Sequence, residues 1–488
     1  MTPHPHFDLL AAAKRVATEN GFVVEYPADA EQELLGVEAR FREHAQAAGV
    51  RDMRSILWSS IDNDDSRDLD QIEAAEALSR GRIRVLVAIA EVDALVPKGS
   101  ALDRHAALNT SSLYTGVIVF PMLPDALSTG LTSLNLEEDR AAIVVDMIVD
   151  SDGSVSDADA YRAIVRNHAK LAYDEVADWL ERKIDVPDCI SKVPGLEEQI
   201  RLQDEAAQRL KTLRFERGAL DLETLEAHAV TRDGTVIALE TTRESRSRAL
   251  IEDFMIAANG AMARYLDANH RSSIRRVVKK PERWARMVEL AKGHGTTLPV
   301  EPSARALSEF LSLSKAKDPK HFADVSLAVV KLMGPGEYTL DRAGEGREGH
   351  FGLAVQDYTH STAPNRRYAD MVTQRLLKAT MTGAPAPYTD DELAALAARC
   401  TGMENAARKV ERTMRKIAAA LFLQPRIGEV FDAIVTGVTP TGCFVRLLAP
   451  PAEGRVVKGE RGLDVGDALK VKLVATEPSK GFIDFVTA

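Results

Sequence analysis

The chain of 488 residues is 45% hydrophobic and 28% charged, with a net charge of −11 at pH 7, which provides apolar material for one large core and one or two small modules. Cys189, Cys400 and Cys443 are scattered without metal-ligand spacing and no apolar run is long enough to span a bilayer, so a disulfide scaffold, a cysteine–zinc centre and a membrane protein are all disfavoured. The start Met1-Thr2-Pro3-His4 lacks an export signal, and a cytoplasmic protein with reduced thiols, working as a monomer, is expected.

Two helices are expected first, Asp8 to Asn20 closed by Gly21 and Asp29 to Ala47 ending near Gly49, with Phe22 to Tyr26 as a short strand between them. The pair suits a packing appendage or a helix-turn-helix-like RNA-binding element, and the appendage is preferred. Next comes the most informative stretch, Ile61-Asp62-Asn63-Asp64-Asp65-Ser66-Arg67-Asp68-Leu69-Asp70-Gln71. Carboxylates this crowded repel one another and, once buried, keep their charge only with a cation among them; oxygen-only ligands select a hard ion such as magnesium or manganese. A solvated turn in which the aspartates bond their own backbone is the competing reading, and the residues alone leave both open. The alternation Asp68-x-Asp70 places both carboxylates on one face of an extended segment.

Strand-like runs at 84–92 and 141–149 then alternate with helical stretches near 196–215, 245–269, 282–294, 303–314 and 322–333, giving a mixed α/β or α+β domain. A helix is expected to open after Ser361 or Thr362, with Pro364 in its first turn, and to run to about Met381. A second follows the linker Gly383-Ala384-Pro385-Ala386-Pro387, starts with Thr389 and Glu392 as a capping box, and continues to about Leu423 with Val410, Met414, Ile417 and Leu421 as its core stripe. Pro425 ends it. Short strands at 428–435, 442–448, 468–475 and 481–485, with the turn Thr439-Pro440-Thr441-Gly442, resemble an S1 domain, an OB-type barrel. Phe444 is its candidate base-stacking residue, with a core phenylalanine as the alternative.

The acidic run, together with His350-Phe351-Gly352-Leu353 and Tyr358-Thr359-His360-Ser361-Thr362-Ala363-Pro364-Asn365-Arg366-Arg367-Tyr368-Ala369-Asp370-Met371, closely resembles the signature of the ribonuclease II family, the RNB-domain 3′-to-5′ exoribonucleases. Tyr114 with Phe120-Pro121-Met122-Leu123-Pro124, the stretch Ala169 to Asp174, and Leu250 to Asn259 fall in family order, so the resemblance covers about Ser55 to Leu423. It implies a small helical N-terminal element at 1–54, an RNB catalytic domain at 55–424 and an S1 domain at 425–488. The N-terminal element is too small for the pair of cold-shock barrels that precede the catalytic region in well-known members.

By this resemblance Asp62, Asp68 and Asp70 match three of the family's four metal-site aspartates, and Gln71 takes the place of the fourth, bringing an amide oxygen but no charge. Asp70 is the first choice for orienting the attacking water. Arg366 matches the catalytic arginine, whose planar fork would stabilise transition-state charge; Arg367 would serve structure or a neighbouring phosphate. Tyr114 corresponds to a tyrosine that stacks on the terminal bases, Tyr173 to one that reads the RNA sugar, and Glu411, by helix spacing, to a glutamate at the 3′-terminal nucleotide; each tyrosine would otherwise be an ordinary core residue.

The implied activity is metal-dependent (Mg2+, with Mn2+ as substitute) hydrolysis of single-stranded RNA, processively from the 3′ end, to nucleoside 5′-monophosphates and a short end product. Net negative charge opposes RNA binding in general, but Arg243, Arg246 and Arg248, Arg271 to Lys280, and Arg408 to Lys416 gather the local cations that a channel lining requires. The alternative is a catalytically impaired RNA-binding protein that works through its S1 domain, with Gln71 as the lesion. No lysine-rich run follows the barrel, which by family analogy favours unstructured substrates.

Overall fold

A computed structural model describes residues 7–44, 49–223, 227–232, 235–241, 244–319, 321–345, 349–439 and 442–488. Arg243, Pro440 and Thr441 of the expected basic cluster and turn lie outside the described residues, as does the expected helix end at Ala47. The apolar run in Ile83–Ala90 is buried along nearly its whole length, as a central strand covered on both faces must be. It pairs antiparallel with Gln71–Ala77 on one side and Asp139–Val149 on the other.

The 18-residue strand Val155–Ala172 completes the sheet. Its first half pairs antiparallel with Asp139–Val149 and its end runs parallel to Trp58–Asp62, which closes five strands into a ring. From Tyr161 onward buried and half-buried residues alternate, so Arg162, Arg166, His168 and Lys170 occupy the wetter face. That alternation of charge is why sequence patterning passes over this strand. The helices Leu196–Glu216 and Arg246–Ala268 pack against the sheet and each other. Tyr368–Met381 joins the same core through Met371, Val372 and Leu376.

The 34-residue helix Asp390–Leu423 opens with the expected capping box, in which Thr389 and Glu392 exchange bonds of 3.2 and 2.8 Å. Val410, Met414 and Ile417 are buried and share a second core with Phe431, Val445 and Phe485 of a closed five-stranded barrel. The barrel contains a strand that sequence patterning omits, Glu453–Lys458, because only Val456 among its six residues is buried. Leu9, Ala13, Val16 and Phe22 of the first helical segment enter this same second core.

Three expectations are corrected. The second N-terminal helix is broken near Gly36 into Ala28–Leu34 and Val37–His44. Residues 22–26 form no strand, since Val23 bonds the side chain of Asn109 through both N–H (2.9 Å) and C=O (2.8 Å) in place of a ladder partner. The helix expected from Ser361 or Thr362 starts instead at Tyr368. Tertiary carboxylates take the N–H groups that a first turn would leave open: Asp370 accepts from Ala363 (2.8 Å) and Asp70 from Asn365 (2.9 Å).

Candidate active site

The acidic run is the connection from strand Trp58–Asp62 to strand Gln71–Ala77. Leu69 pins it: this side chain is buried, its N–H donates to Ser133 Oγ (3.0 Å) and its carbonyl accepts from Leu134 (3.0 Å). Lys170 Nζ holds the preceding turn through the carbonyls of Asp64 and Ser66. Asp68 and Asp70, flanking Leu69, are thereby turned the other way from it.

Asp70 is 2% exposed and joins the two halves of the motif across 296 positions, accepting from Arg366 Nε at 3.0 Å and from the Asn365 N–H at 2.9 Å. The arginine loop is fixed from behind. Ser112 N–H donates to the Arg366 carbonyl (2.9 Å), Tyr368 N–H to that of Thr110 (2.8 Å), and Thr132 Oγ1 to Asn365 Oδ1 (2.6 Å). Arg366 remains half-exposed, and among the described residues its terminal Nη groups make no bond to protein, so they are left to face a ligand.

Arg367 precedes the helix as its N-cap residue and forks onto Asp370 through bonds of 2.9 and 2.8 Å. Its charge is thus matched by a bidentate carboxylate, which makes it a scaffold group. Behind it, His350, Tyr338, Tyr358 and His360 stack edge to face, and Tyr338 Oη lies 2.8 Å from His360 Nδ1. The histidines of the motif belong to this support and not to the acidic centre.

Burial pushes Asp70 up to about 7 against the opposing pull of Arg366 and the Asn365 N–H, with Asp68 and Asp370 adding to the rise. Asp68 is also raised, chiefly by burial, with Arg366 opposing and Asp62 adding to the rise. Tyr114, on the two-residue strand Leu113–Tyr114, is 39% exposed and lies within electrostatic reach of Asp62, Asp68, Asp70 and Arg366. Tyr173 opens the helix Tyr173–Leu180, within electrostatic reach of Asp62 and under the Arg248 guanidinium, 4.3 Å from ring centroid.

Two residues at this centre escape sequence reasoning. Glu73 is fully buried, both its carboxylate oxygens lack partners among the described residues, and burial followed by repulsion from Asp62 raises it well above the carboxylate range. Arg248 is legible only as one member of a basic run. Gln71 stands half-buried at the start of its strand. Glu411 is half-buried on the long helix beside the core residue Val410, and its proposed role rests on resemblance alone. Phe444 is 37% exposed and faces Arg455 across the barrel ladder, while the barrel core takes Phe431 and Phe485.

Among the described residues no three His, Cys, Asp or Glu side chains stand as a ready-made metal cage, and Asp70 commits both oxygens to Asn365 and Arg366. The donor chemistry nonetheless fits a hard divalent ion. Asp62, Asp68 and Asp70 crowd one loop, and Glu73, which has no bonding partner among the described residues, adds a further pair of oxygen donors within Coulombic reach of Asp62.

The ring-closed sheet, the Asp70–Arg366 junction and the C-terminal barrel define a class of RNB-domain proteins that carry an S1 module. A family model described as the RNB domain matches residues 50–383, and one described as the RNase II-type exonuclease C-terminal S1 domain matches residues 429–488; the chain belongs to the RNB-domain family. Ribonuclease R of Vibrio cholerae is 30% identical over 501 residues, spanning 94% of this chain and 59% of its own length. Ribonuclease R of Thermotoga maritima is 30% identical over 492 residues, spanning 95% of this chain and 68% of its own. The chain therefore matches 59% of the Vibrio relative's length, not the whole of it.

Among solved structures, Mycoplasma genitalium RNase R in complex with ribose methylated single-stranded RNA superposes with a TM-score of 0.87 at 23% identity, over 99% of this chain and 78% of that one. A yeast pseudonuclease superposes with a TM-score of 0.68 at 16% identity, over 91% of this chain and 55% of that one. Nuclease and pseudonuclease share the fold, so activity has to be argued from the site.

Proposed function

We propose that the protein is a metal-dependent hydrolytic exoribonuclease that removes nucleotides one at a time from the 3′ end of single-stranded RNA, releasing nucleoside 5′-monophosphates and leaving a short end product. The observation that carries this reading is the Asp70–Arg366 junction: two distant segments meet with an acidic loop on one side and free guanidinium donors on the other. The relatives named ribonuclease R support the same assignment.

A bound Mg2+, or Mn2+ in its place, would supply charge neutralisation at the phosphoryl oxygens and a more acidic water, with Asp62 and Asp68 as the first candidates to hold it. Arg366 is kept in place through Nε, so its Nη donors can meet the negative charge that develops on the phosphate. Asp70 fixes that arginine and lies where an attacking water could be oriented. Tyr114 would stack on a terminal base, and Tyr173, held at the helix start by the bond from Ser247 Oγ to its carbonyl (2.7 Å), would meet a ribose. Phe444 and Glu411 are the proposed contacts along the path of the strand. Monomeric, cytoplasmic action belongs to this reading; among the described residues no helix is long and apolar enough to cross a membrane.

The test is digestion of 5′-labelled poly(A) with magnesium, expected to yield mononucleotides and one short labelled product; intact substrate across a range of magnesium and manganese refutes the proposal. Gln71, which brings an amide oxygen where the family has a carboxylate, supports a second reading, an RNA-binding protein without catalysis. EDTA-sensitive release of mononucleotides separates the two.

A further inference from the structure

We infer that Arg248 is a phosphate-docking residue, whose half-buried guanidinium, laid over the Tyr173 ring at 4.3 Å and bonded to Asn63 Oδ1 at 2.9 Å, holds a backbone phosphate of the RNA strand beside the one that faces Arg366. The inference rests on the proposed RNA hydrolysis and assigns one more group to that site.

The case begins with what Arg248 lacks. Neighbouring arginines are matched by carboxylates: Arg246 forks onto Asp204 at 2.8 and 2.6 Å, Arg214 meets Asp253 at 2.5 Å, and Arg367 forks onto Asp370 at 2.9 and 2.8 Å. Arg248 forms no ion pair within 4.0 Å among the described residues; Glu244 lies within Coulombic reach, but the guanidinium's hydrogen bond is to the neutral amide of Asn63. One Nη group and the ring stack fix the plane of the fork, and the remaining N–H groups stay available as donors. A pre-oriented guanidinium with donors to spare suits a phosphate better than it suits bulk water.

Helix stability gives no reason for the residue. Arg248 lies in the first turn of Arg246–Ala268, where the peptide dipoles favour acidic side chains and none is present. Its location does give one. Asn63 directly follows Asp62 in the acidic loop, and Tyr173 senses Asp62, Glu73, Arg248 and Arg366 together, so Arg248 borders the same centre as the catalytic arginine. A cation there offsets repulsion between the carboxylates and an incoming polyanion, and it clamps the ring proposed to meet the ribose.

The experiment measures binding of a labelled single-stranded oligoribonucleotide against salt concentration in the cleavage-deficient Asp70→Asn protein, with Arg248→Ala, Arg248→Met and Arg248→Lys added in turn. Loss of one phosphate contact should weaken binding by about tenfold and flatten the log–log salt slope by about 0.7 in the Ala and Met variants. Lys should restore the slope. With Asp70 intact, KM should rise by a similar factor while kcat holds within a few-fold. Met keeps an apolar cover on Tyr173, which separates lost charge from lost packing.

Parental affinity and salt slope in both the Ala and Met variants would overturn the inference. So would a fall in kcat with the slope unchanged, which would make Arg248 a positioning residue for Tyr173. If Asp70→Asn itself binds no single-stranded RNA, the function proposed above fails with it; if that protein binds and wild type cuts, only the Arg248 assignment is at stake.

Discussion

Two neighbouring arginines, Arg366 and Arg367, are given opposite tasks by their partners. Arg367 has its fork closed by Asp370, whereas Arg366 is held by Nε alone. Arg366→Ala is therefore expected to lower kcat by about a hundredfold or more with modest change in RNA affinity, as loss of a transition-state donor does. Single-turnover kinetics would measure it. Asp70→Asn keeps the shape of the junction but removes the charge that fixes Arg366, so cleavage should vanish while RNA binding survives; wild-type rates in this variant would refute its role. Arg367→Ala should behave differently, lowering thermal stability, because Asp370 would be left buried without its counter-charge.

At the scale of elements, the supports of the site set its pH range and its stiffness. Burial, reinforced by Arg276, pushes His350 down to about 4 from an ordinary 6.5, and burial with Arg367 lowers His360 well below its ordinary value, so the folded protein keeps both neutral. The unfolded chain protonates them near 6.5. Their contribution to stability is therefore complete above pH 6.5 and is lost as pH falls from there towards 4. Thermal melts should show a smaller drop between pH 7 and acid for His350→Gln than for wild type. The long helix offers a local test, since Thr389→Ala removes one half of its capping box and should cost about 1 kcal/mol in denaturant unfolding. Capping boxes and core stripes were readable from sequence because their partners lie within one or two turns. Strand Val155–Ala172 was not, because the alternating charged residues of its wetter face are tolerated only through its pairing with Asp139–Val149 and Trp58–Asp62.

Across the whole molecule, the N-terminal segment and the barrel meet on the same long helix. Glu33 Oε2 accepts from Leu102 N–H at 3.0 Å, at the start of helix Ala101–Asn109, Arg104 pairs with Asp29 at 2.7 Å, and Val23 pairs with Asn109. These are packing and capping contacts. Deleting the residues before Arg51 should consequently lower the melting temperature more than it lowers RNA affinity; a large loss of RNA or DNA binding with unchanged stability would instead give the segment a nucleic-acid role. Removing the barrel from Gly428 onward would expose the buried stripe of the long helix, so binding comparisons should use Phe444→Ala in the full chain.

The amino-acid sequence determined the kinds of element, the caps, the acidic loop and the arginine motif, because each is written in residues a few positions apart. It could not show that Asp70 closes on Arg366 rather than entering a ligand cage, that the helix behind the motif begins at Tyr368, that Glu73 is buried with no bonding partner among the described residues, or that Arg248 reaches the acidic loop through Asn63. Those outcomes were decided by the tertiary structure. Each depends on which groups from distant segments are brought within hydrogen-bonding or Coulombic range, and on how much water is left between them.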